Sequence, residues 1–347
     1  MSERSQRERA RSRVLVARLD SEGDVLLAGP AVRAVAAHAD EVVLLVGPRG
    51  RQAAALLPGV ADVLVWRAPW IDAEPDPVDP ADVAALVDRL RRLALDAAVL
   101  LTSYHQSPLP LALLLRLAGV PRVTAVSEDY PGSLLDVRHR LPEDLPEAER
   151  ALSTAVAAGY GPPAGDDGAL RVRGPLPDVT RLTGGGPYVV LHPGASVPAR
   201  AWSPQRCAAA VTALAAAGRC VLVTGGPAEA ALTRAVAGTD GVDLGGRTSF
   251  AELAAVLAGA GAVVVGNTGP AHLAAAVGTP VVSLFAPVVP AVRWAPYRVP
   301  SVLLGDQQAP CRDSRARTCP VPGHPCLDSV TPEDVVAAVD KLAGAAA

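Results

Sequence analysis

The sequence predicts an α/β protein of two Rossmann-like domains, each a parallel sheet covered by helices, and three observations predict it. The 347 residues exceed the roughly 250 to 300 at which a single core stops growing and a chain divides. Half the residues are apolar but only 3% are aromatic, so the cores are built from Ala, Val and Leu. That inventory suits helices packed on parallel strands better than a β-sandwich. Short β-branched runs also alternate with longer Ala/Leu helical patterns along the chain, which is the signature of successive βαβ units.

In chain order, strands are expected near Val14 to Ala17, Val42 to Val46, Val63 to Trp66, Ala97 to Leu101 and Arg122 to Val126. Between Tyr160 and Pro187 the pattern lapses into Gly, Pro and Asp, with one short extended piece at Leu170 to Arg173, and this reads as an interdomain connection. The alternation restarts with strands at Tyr188 to Leu191, Arg219 to Val223, Val242 to Leu244, Ala262 to Val265 and Val281 to Phe285. Helices begin near Pro204, Pro227, Phe250 and Pro270, and Pro suits a first turn because that N–H lacks an intrahelical partner. The expected organisation is a basic head over 1–13, a first domain over 14–175 and a second over 176–347. Ligands of parallel sheets bind beyond the carboxyl ends of the strands, which predicts a ligand between two facing sheets.

The formal net charge of -3 gives no basis for nucleic-acid binding, which rests on neutralising phosphates. Arg4, Arg7, Arg9, Arg11 and Arg13 crowd the head, which is either a solvated disordered tail or a contact for an anionic membrane surface. Cys207 and Cys220 lie in apolar patterns, as expected in a reducing compartment. The head lacks the apolar run of a signal peptide, and the longest apolar run, Pro108 to Val120, falls short of the roughly 20 residues of a membrane span. A soluble cytoplasmic protein is expected.

Four loops after strands carry candidate chemistry. In RLDSEGDVLL, Gly23 permits a tight turn, and Asp24 near a helix start is placed to accept a proton from an attacking hydroxyl, unless Asp20 or Asp24 merely caps the helix. In LHPGASVPARAW, His192, Gly194 and Ser196 can approach a ligand closely while Arg200 offers a donor fork for phosphate, unless it is an exposed Arg beside a structural Trp202. In VTGGPAEAAL, Gly225 and Gly226 precede a helix whose second turn brings Glu229, a candidate acceptor for ribose hydroxyls. The most specific loop is VVVGNTGPAHLAAAVG, where Asn267, Thr268 and Gly269 lead into a helix with His272 in its first turn, an anion-binding start.

Rival motifs fail. GVDLGGRT has P-loop glycine spacing, but Arg247 stands where Lys is required and a strand runs through it. No Asp-x-Asp pair and no Gly-x-Ser-x-Gly elbow occur. Cys311, Cys319, His324 and Cys326 cluster in a Pro-rich tail without close Cys-x-x-Cys pairs, which leaves reduced thiols, a disulfide or a metal site open.

Taken in order, GDVL, HPGAS leading to Arg200-Ala201-Trp202, LGGRTSFAELAAVLAGA and GNTGPAHLAAAVGTPVVSLF resemble glycosyltransferase family 9, the ADP-heptose:lipopolysaccharide heptosyltransferases. The resemblance implies a GT-B fold and an inverting, metal-independent transferase with no cofactor. The implied donor is ADP-heptose, the acceptor a glycan or glycolipid, and the enzyme a monomer at or near the inner face of the membrane. By position it makes Asp24 the general base, Arg200 the donor-phosphate contact, Glu229 the ribose acid and Thr248 part of the adenosine site. Asn267, Thr268, Gly269 and His272 match the element that holds diphosphate and sugar, with Gly194 and Ser196 beside them; Asn267 departs from the family's Asp, exchanging a charge for an amide donor. A helix start lowers a carboxylate's basicity, so proton transfer is expected late. Acceptor candidates in the first domain are Tyr104, His105, Asp129 and Arg138, each also explicable by turn formation or capping. Competing readings are a transferase for another nucleotide sugar, a nucleotide-sugar epimerase and a non-catalytic nucleotide-sugar binder, since fold does not fix chemistry.

Overall fold

The computed structural model describes residues 12–72, 74–103, 106–141 and 144–344. The first eleven residues of the basic head, and the acceptor candidates Tyr104 and His105, lie outside the described residues. The chain folds as two compact units: one runs to Gly168 without 144–146, and the other comprises 144–146 with everything from Ala169 onward.

The first unit carries β1 (Arg13–Arg18), β2 (Glu41–Val46), β3 (Asp62–Val65), β4 (Ala97–Leu100), β5 (Val123–Val126) and β6 (Val137–His139). All pair in parallel in the order β3-β2-β1-β4-β5-β6. Its helices are α1 (Glu22–Leu27), α2 (Gly29–Ala36), α3 (Arg51–Leu56), α4 (Pro80–Arg92), α5 (Leu109–Leu117) and α6 (Glu147–Ala157). Val14 through Ala17 are buried on both faces of β1, as a parallel strand covered from both sides requires. Leu15 and Ala17 join one core with Leu45, Leu86, Leu100 and Leu115. Arg13, read above as part of the head, opens β1 because its Nε donates to Glu41 Oε2 at 2.6 Å on the neighbouring strand.

The second unit repeats the plan with β7 (Tyr188–His192), β8 (Cys220–Val223), β9 (Val242–Asp243), β10 (Ala262–Gly266), β11 (Val281–Leu284) and β12 (Ser301–Leu304), in the order β12-β11-β10-β7-β8-β9. Its helices are α7 (Thr180–Thr183), α8 (Pro204–Ala216), α9 (Ala230–Ala237), α10 (Phe250–Ala258), α11 (Gly269–Ala276), α12 (Ala291–Trp294), α13 (Pro325–Asp328) and α14 (Pro332–Gly344). Side-chain caps set several helix starts: Ser203 Oγ accepts from Arg206 N at 3.2 Å, and Ser249 exchanges hydrogen bonds with Glu252 in a capping box.

Both sheets place the first strand of their unit beside the fourth, so strand order reverses between β1 and β4 and again between β7 and β10. Such a switch point opens a crevice at the carboxyl ends of the two strands, where α/β sheets hold ligands. The extended piece expected at Leu170 to Arg173 joins neither sheet. The structure departs from the expectations in two places. Two edge strands, β6 and β12, go unanticipated: β6 is a three-residue strand carrying Arg138 and His139, and β12, although Val302 to Leu304 are apolar, is only partly buried. Pro227 opens a 3-10 turn (Pro227–Glu229) and α9 follows it, so Glu229 lies in the first turn of this segment.

Candidate active site

In the second unit β7 ends at His192, and the imidazole Nδ1 lies 3.0 Å from Thr224 Oγ1 at the end of β8. Burial pushes the His192 pKa below its usual value, and the Glu229 charge opposes that only in part. With its Nε2 3.9 Å from Glu229 Oε2, His192 therefore meets the carboxylate as a neutral ring near pH 7. Glu229 is held by backbone: Gly226 N–H donates to its Oε2 at 2.8 Å. Glycines make the room for it, since a Cβ on Gly194 would fall 1.9 Å from Glu229 Oε1 and one on Gly225 3.2 Å from Oε2. The result is a half-buried carboxylate at the strand ends, available to hydroxyl donors.

Arg200 closes a 3-10 turn (Pro198–Arg200) that is braced from the tail. Ala199 N donates to Arg317 O at 2.9 Å, and His324 Nε2 lies 3.1 Å from Ala199 O. Trp202 Nε1 donates to Leu327 O at 3.1 Å, so Trp202 is the structural residue anticipated. The turn lies against the end of β10, where a Cβ on Gly266 would meet Arg200 O at 3.0 Å. Asn267 follows directly and is 4% exposed; among the described residues its Nδ2 has no hydrogen-bond partner. A buried donor in that state costs about 1–3 kcal/mol and is suited to a ligand acceptor. Thr268 is the N-cap of α11 without a side-chain capping bond, which leaves the helix start open to an anion, and His272 is buried in the helix beneath it. Ser196 is exposed beyond Gly194, and Thr248 is half-buried between β9 and α10. The β7/β10 switch point thus collects Gly194, Glu229, Arg200, Asn267, Thr268, Gly269 and His272.

The first unit builds its own polar centre at the β1/β4 switch point. Asp24 is the third residue of α1, and Ser21 at the N-cap donates to its Oδ2 from N at 3.3 Å and from Oγ at 2.7 Å. Asp24 is therefore also the capping residue weighed above. Its Oδ1 accepts from Arg18 Nη2 at 2.9 Å. Asp20 is buried beside them, accepting from Gln106 Nε2 and, at 3.2 Å, from Ser103 Oγ. Burial raises the Asp20 pKa, Arg18 pulls it down, and the Asp24 charge adds to the rise. Arg138 on β6 donates from Nε to Ser127 O at 3.0 Å and from Nη2 to Glu128 O, so it braces the loop that carries exposed Asp129.

The model of glycosyltransferase family 9 (heptosyltransferase) matches residues 83–324, well over half of the 347 residues. The chain belongs to glycosyltransferase family 9. Lipopolysaccharide heptosyltransferase 3 of Escherichia coli is 33% identical over 164 residues, 45% of this chain and 46% of that protein. The chain thus spans about half the length of the curated relatives it matches, 46% in each case. A family 9 glycosyltransferase from Veillonella parvula superposes with TM-score 0.75 at 17% identity, over 96% of this chain and 97% of that one. E. coli heptosyltransferase WaaC, solved with ADP-2-deoxy-2-fluoro heptose, gives 0.70 at 21% identity over 95% and 99%. At these identities the two structures establish the GT-B fold class of family 9 for this chain.

Sequence reasoning missed Arg18, Glu147 and the bracing tail. Arg18 had a signal, a charge closing the apolar run Val14 to Ala17; Glu147 had none, and His324, noted only with the tail cysteines, gave no sign of its contact with the distant Ala199. Cys311, Cys319 and Cys326 are free thiols, and burial beside Cys311 and Cys319 pushes the Cys326 thiol up to about 12. Among the described residues no group of three or more His, Cys, Asp or Glu is arranged to hold a metal ion.

Proposed function

We propose that the protein is an inverting glycosyltransferase that moves a sugar, heptose in the first reading, from an ADP-sugar to a hydroxyl of a glycan or glycoconjugate. The observation that carries this reading is the β7/β10 switch point, where a glycine-fenced carboxylate, an Arg on a braced turn and an open helix start occur together. Glu229 suits the ribose hydroxyls, Arg200 and the amides of α11 suit the diphosphate, and Asn267 suits an acceptor atom on the sugar or phosphate. Thr248 and Ser196 complete the donor side.

In the reaction the acceptor hydroxyl attacks the anomeric carbon opposite the departing diphosphate. The new C–O bond forms as the old one breaks, Asp24 takes the hydroxyl proton, and ADP leaves with its charge held by Arg200 and the start of α11. These groups supply the positive charge that the leaving group needs, so the reading calls for no metal ion. The E. coli relative's name supports a lipopolysaccharide acceptor. The acceptor candidates Asp129 and Arg138 stay with the first unit. The same reading makes the protein a cytoplasmic monomer working at the inner membrane face; among the described residues, no helix is long and apolar enough to cross a membrane.

Asn267 favours a second reading, a transferase for a different sugar on the same nucleotide, because an amide donor prefers acceptor-rich substituents. A thermal-shift panel of ADP-, UDP-, GDP- and dTDP-sugars tests both, since a ligand that binds only the folded state raises apparent stability. The expected response is confined to ADP compounds, with the sugar ranking deciding between heptose and its alternatives. A response to UDP or dTDP compounds alone removes the ADP donor.

A further inference from the structure

The carboxylate given the role of base does not stand alone, and the group that orients it lies below the surface. Arg18, the last residue of β1, is 2% exposed. Its Nη2 donates to Asp24 Oδ1 and to Ser103 Oγ, both at 2.9 Å. Its Nε lies 2.9 Å from Asp20 Oδ2, in ion-pair contact without hydrogen-bond alignment, and its Nη1 lies 3.5 Å from Glu147 Oε2. Burial alone would lower the Arg18 pKa, yet Asp20, Asp24 and Glu147 together hold it above the ordinary value, so the charge is permanent. Glu147 opens α6 at 1% exposure.

We infer that Arg18 is a positioning residue for Asp24, fixing the plane of its carboxylate for proton transfer. The inference rests on the reading of Asp24 as base. Arg18 and Ser21 take opposite oxygens of one carboxylate: Arg18 Nη2 holds Oδ1, while Ser21 N and Oγ hold Oδ2. With both oxygens engaged the carboxylate cannot rotate without breaking a charged hydrogen bond. The charge balance points the same way. Three carboxylates around one buried guanidinium leave an excess of negative charge, which burial relieves by raising Asp20 toward its neutral form. Arg18 spends its best-aligned charged bond on Asp24, the most exposed of the three at 19% of its side chain, against 9% for Asp20 and 0% for Glu147. A buried guanidinium is out of reach of substrate and acts only through the carboxylate it holds.

A purely structural Arg18 would tie β1, α1, α6 and the loop after β4 together, so the test must separate orientation from folding. It uses the full chain with ADP-heptose and truncated lipopolysaccharide, following ADP release for Arg18→Gln, Arg18→Lys, Asp24→Asn and the double variant. Arg18→Gln is expected to lower kcat about 10- to 100-fold, with the KM for donor within about twofold, because the donor groups lie in the other unit. Arg18→Lys, which keeps the charge but loses the fork, should recover part of that loss. Adding Arg18→Gln to Asp24→Asn should slow the residual rate no further, since a residue acting through Asp24 has nothing left to orient. Thermal melts and ADP affinity report folding; if Arg18→Gln does not fold, Arg18→Lys alone and on the Asp24→Asn background carries the comparison. Wild-type kcat in folded Arg18→Gln or Arg18→Lys, or losses that multiply in the double variant, overturn the inference while leaving the base intact. Full activity of Asp24→Asn removes the base reading itself, and absence of wild-type ADP release with this pair removes both.

Discussion

Gly194 shows how a single missing methyl shapes the donor side. A Cβ there would sit 1.9 Å from one Glu229 oxygen and 2.5 Å from its carboxyl carbon, far inside contact distance. Glu229 cannot simply swing away, because its Oε2 is tied to Gly226 N–H at 2.8 Å. Gly194→Ala is therefore expected to weaken ADP binding about tenfold or more, equivalent to about 1.4 kcal/mol, with little change in melting temperature without ligand. Isothermal titration with ADP measures this, and unchanged affinity would separate Glu229 from nucleotide binding. At this scale the sequence exposed the residue types but not their company. Gly194, Glu229, Arg200 and Asn267 were legible because each follows a strand in a loop rich in Gly and polar groups. That Gly194 exists to admit Glu229, thirty-five positions away on the chain, is a packing fact with no local trace. The same holds for the tail, whose cysteines drew attention as thiols, whereas Arg317 O and His324 act on the backbone of Ala199.

At the scale of elements, α1 concentrates the tension in the first unit. Ser21 and Asp24 form its capping box, and Glu22 occupies its first position, where a helix start favours a charged carboxylate. Burial outweighs that preference and pushes Glu22 up to about 7, from an ordinary 4.5. The sign follows from linkage: a raised folded-state pKa means that the folded chain binds this proton more tightly than the unfolded one. The stabilisation is complete below about 4.5 and is lost as pH rises through about 7. Glu22→Gln, a neutral isostere, should raise the melting temperature at pH 8 by a few degrees, on the order of 1–2 kcal/mol after allowing for partial exposure, and change little at pH 4.5. Equal effects at both pH values would show that the charge is not what burial penalises. Elements themselves were largely readable: the ten expected strands all form, within a residue or two of their bounds, the central ones because their runs are buried on both faces and the edge strands β3 and β9 despite only partial burial. β6 escaped because an edge strand buries less and its residues need not be apolar, as Arg138 and His139 show; β12 is apolar from Val302 to Leu304 but only partly buried.

For the whole molecule, the repeated strand order means that each unit is a complete doubly wound sheet with its own core and its own switch point. The alternation along the chain made this legible. What it could not reveal is that residues 144–146 belong with the second unit, where Asp144 pairs with the distant Arg293. The division of labour has a thermodynamic consequence. Every group proposed for the nucleotide lies in the second unit, and the proposed base lies in the first, so ADP should stabilise the two unequally. A ligand at about 100 times its Kd adds about 2.7 kcal/mol to the structure that binds it. Hydrogen exchange on the full chain with saturating ADP should therefore slow the amides of β7, β8, β10 and α11, while those of β1, β4 and β5 exchange at their unliganded rates. Equal protection in both sheets would mean that the units open together, and protection centred on β1 and β4 would move the nucleotide to the other switch point.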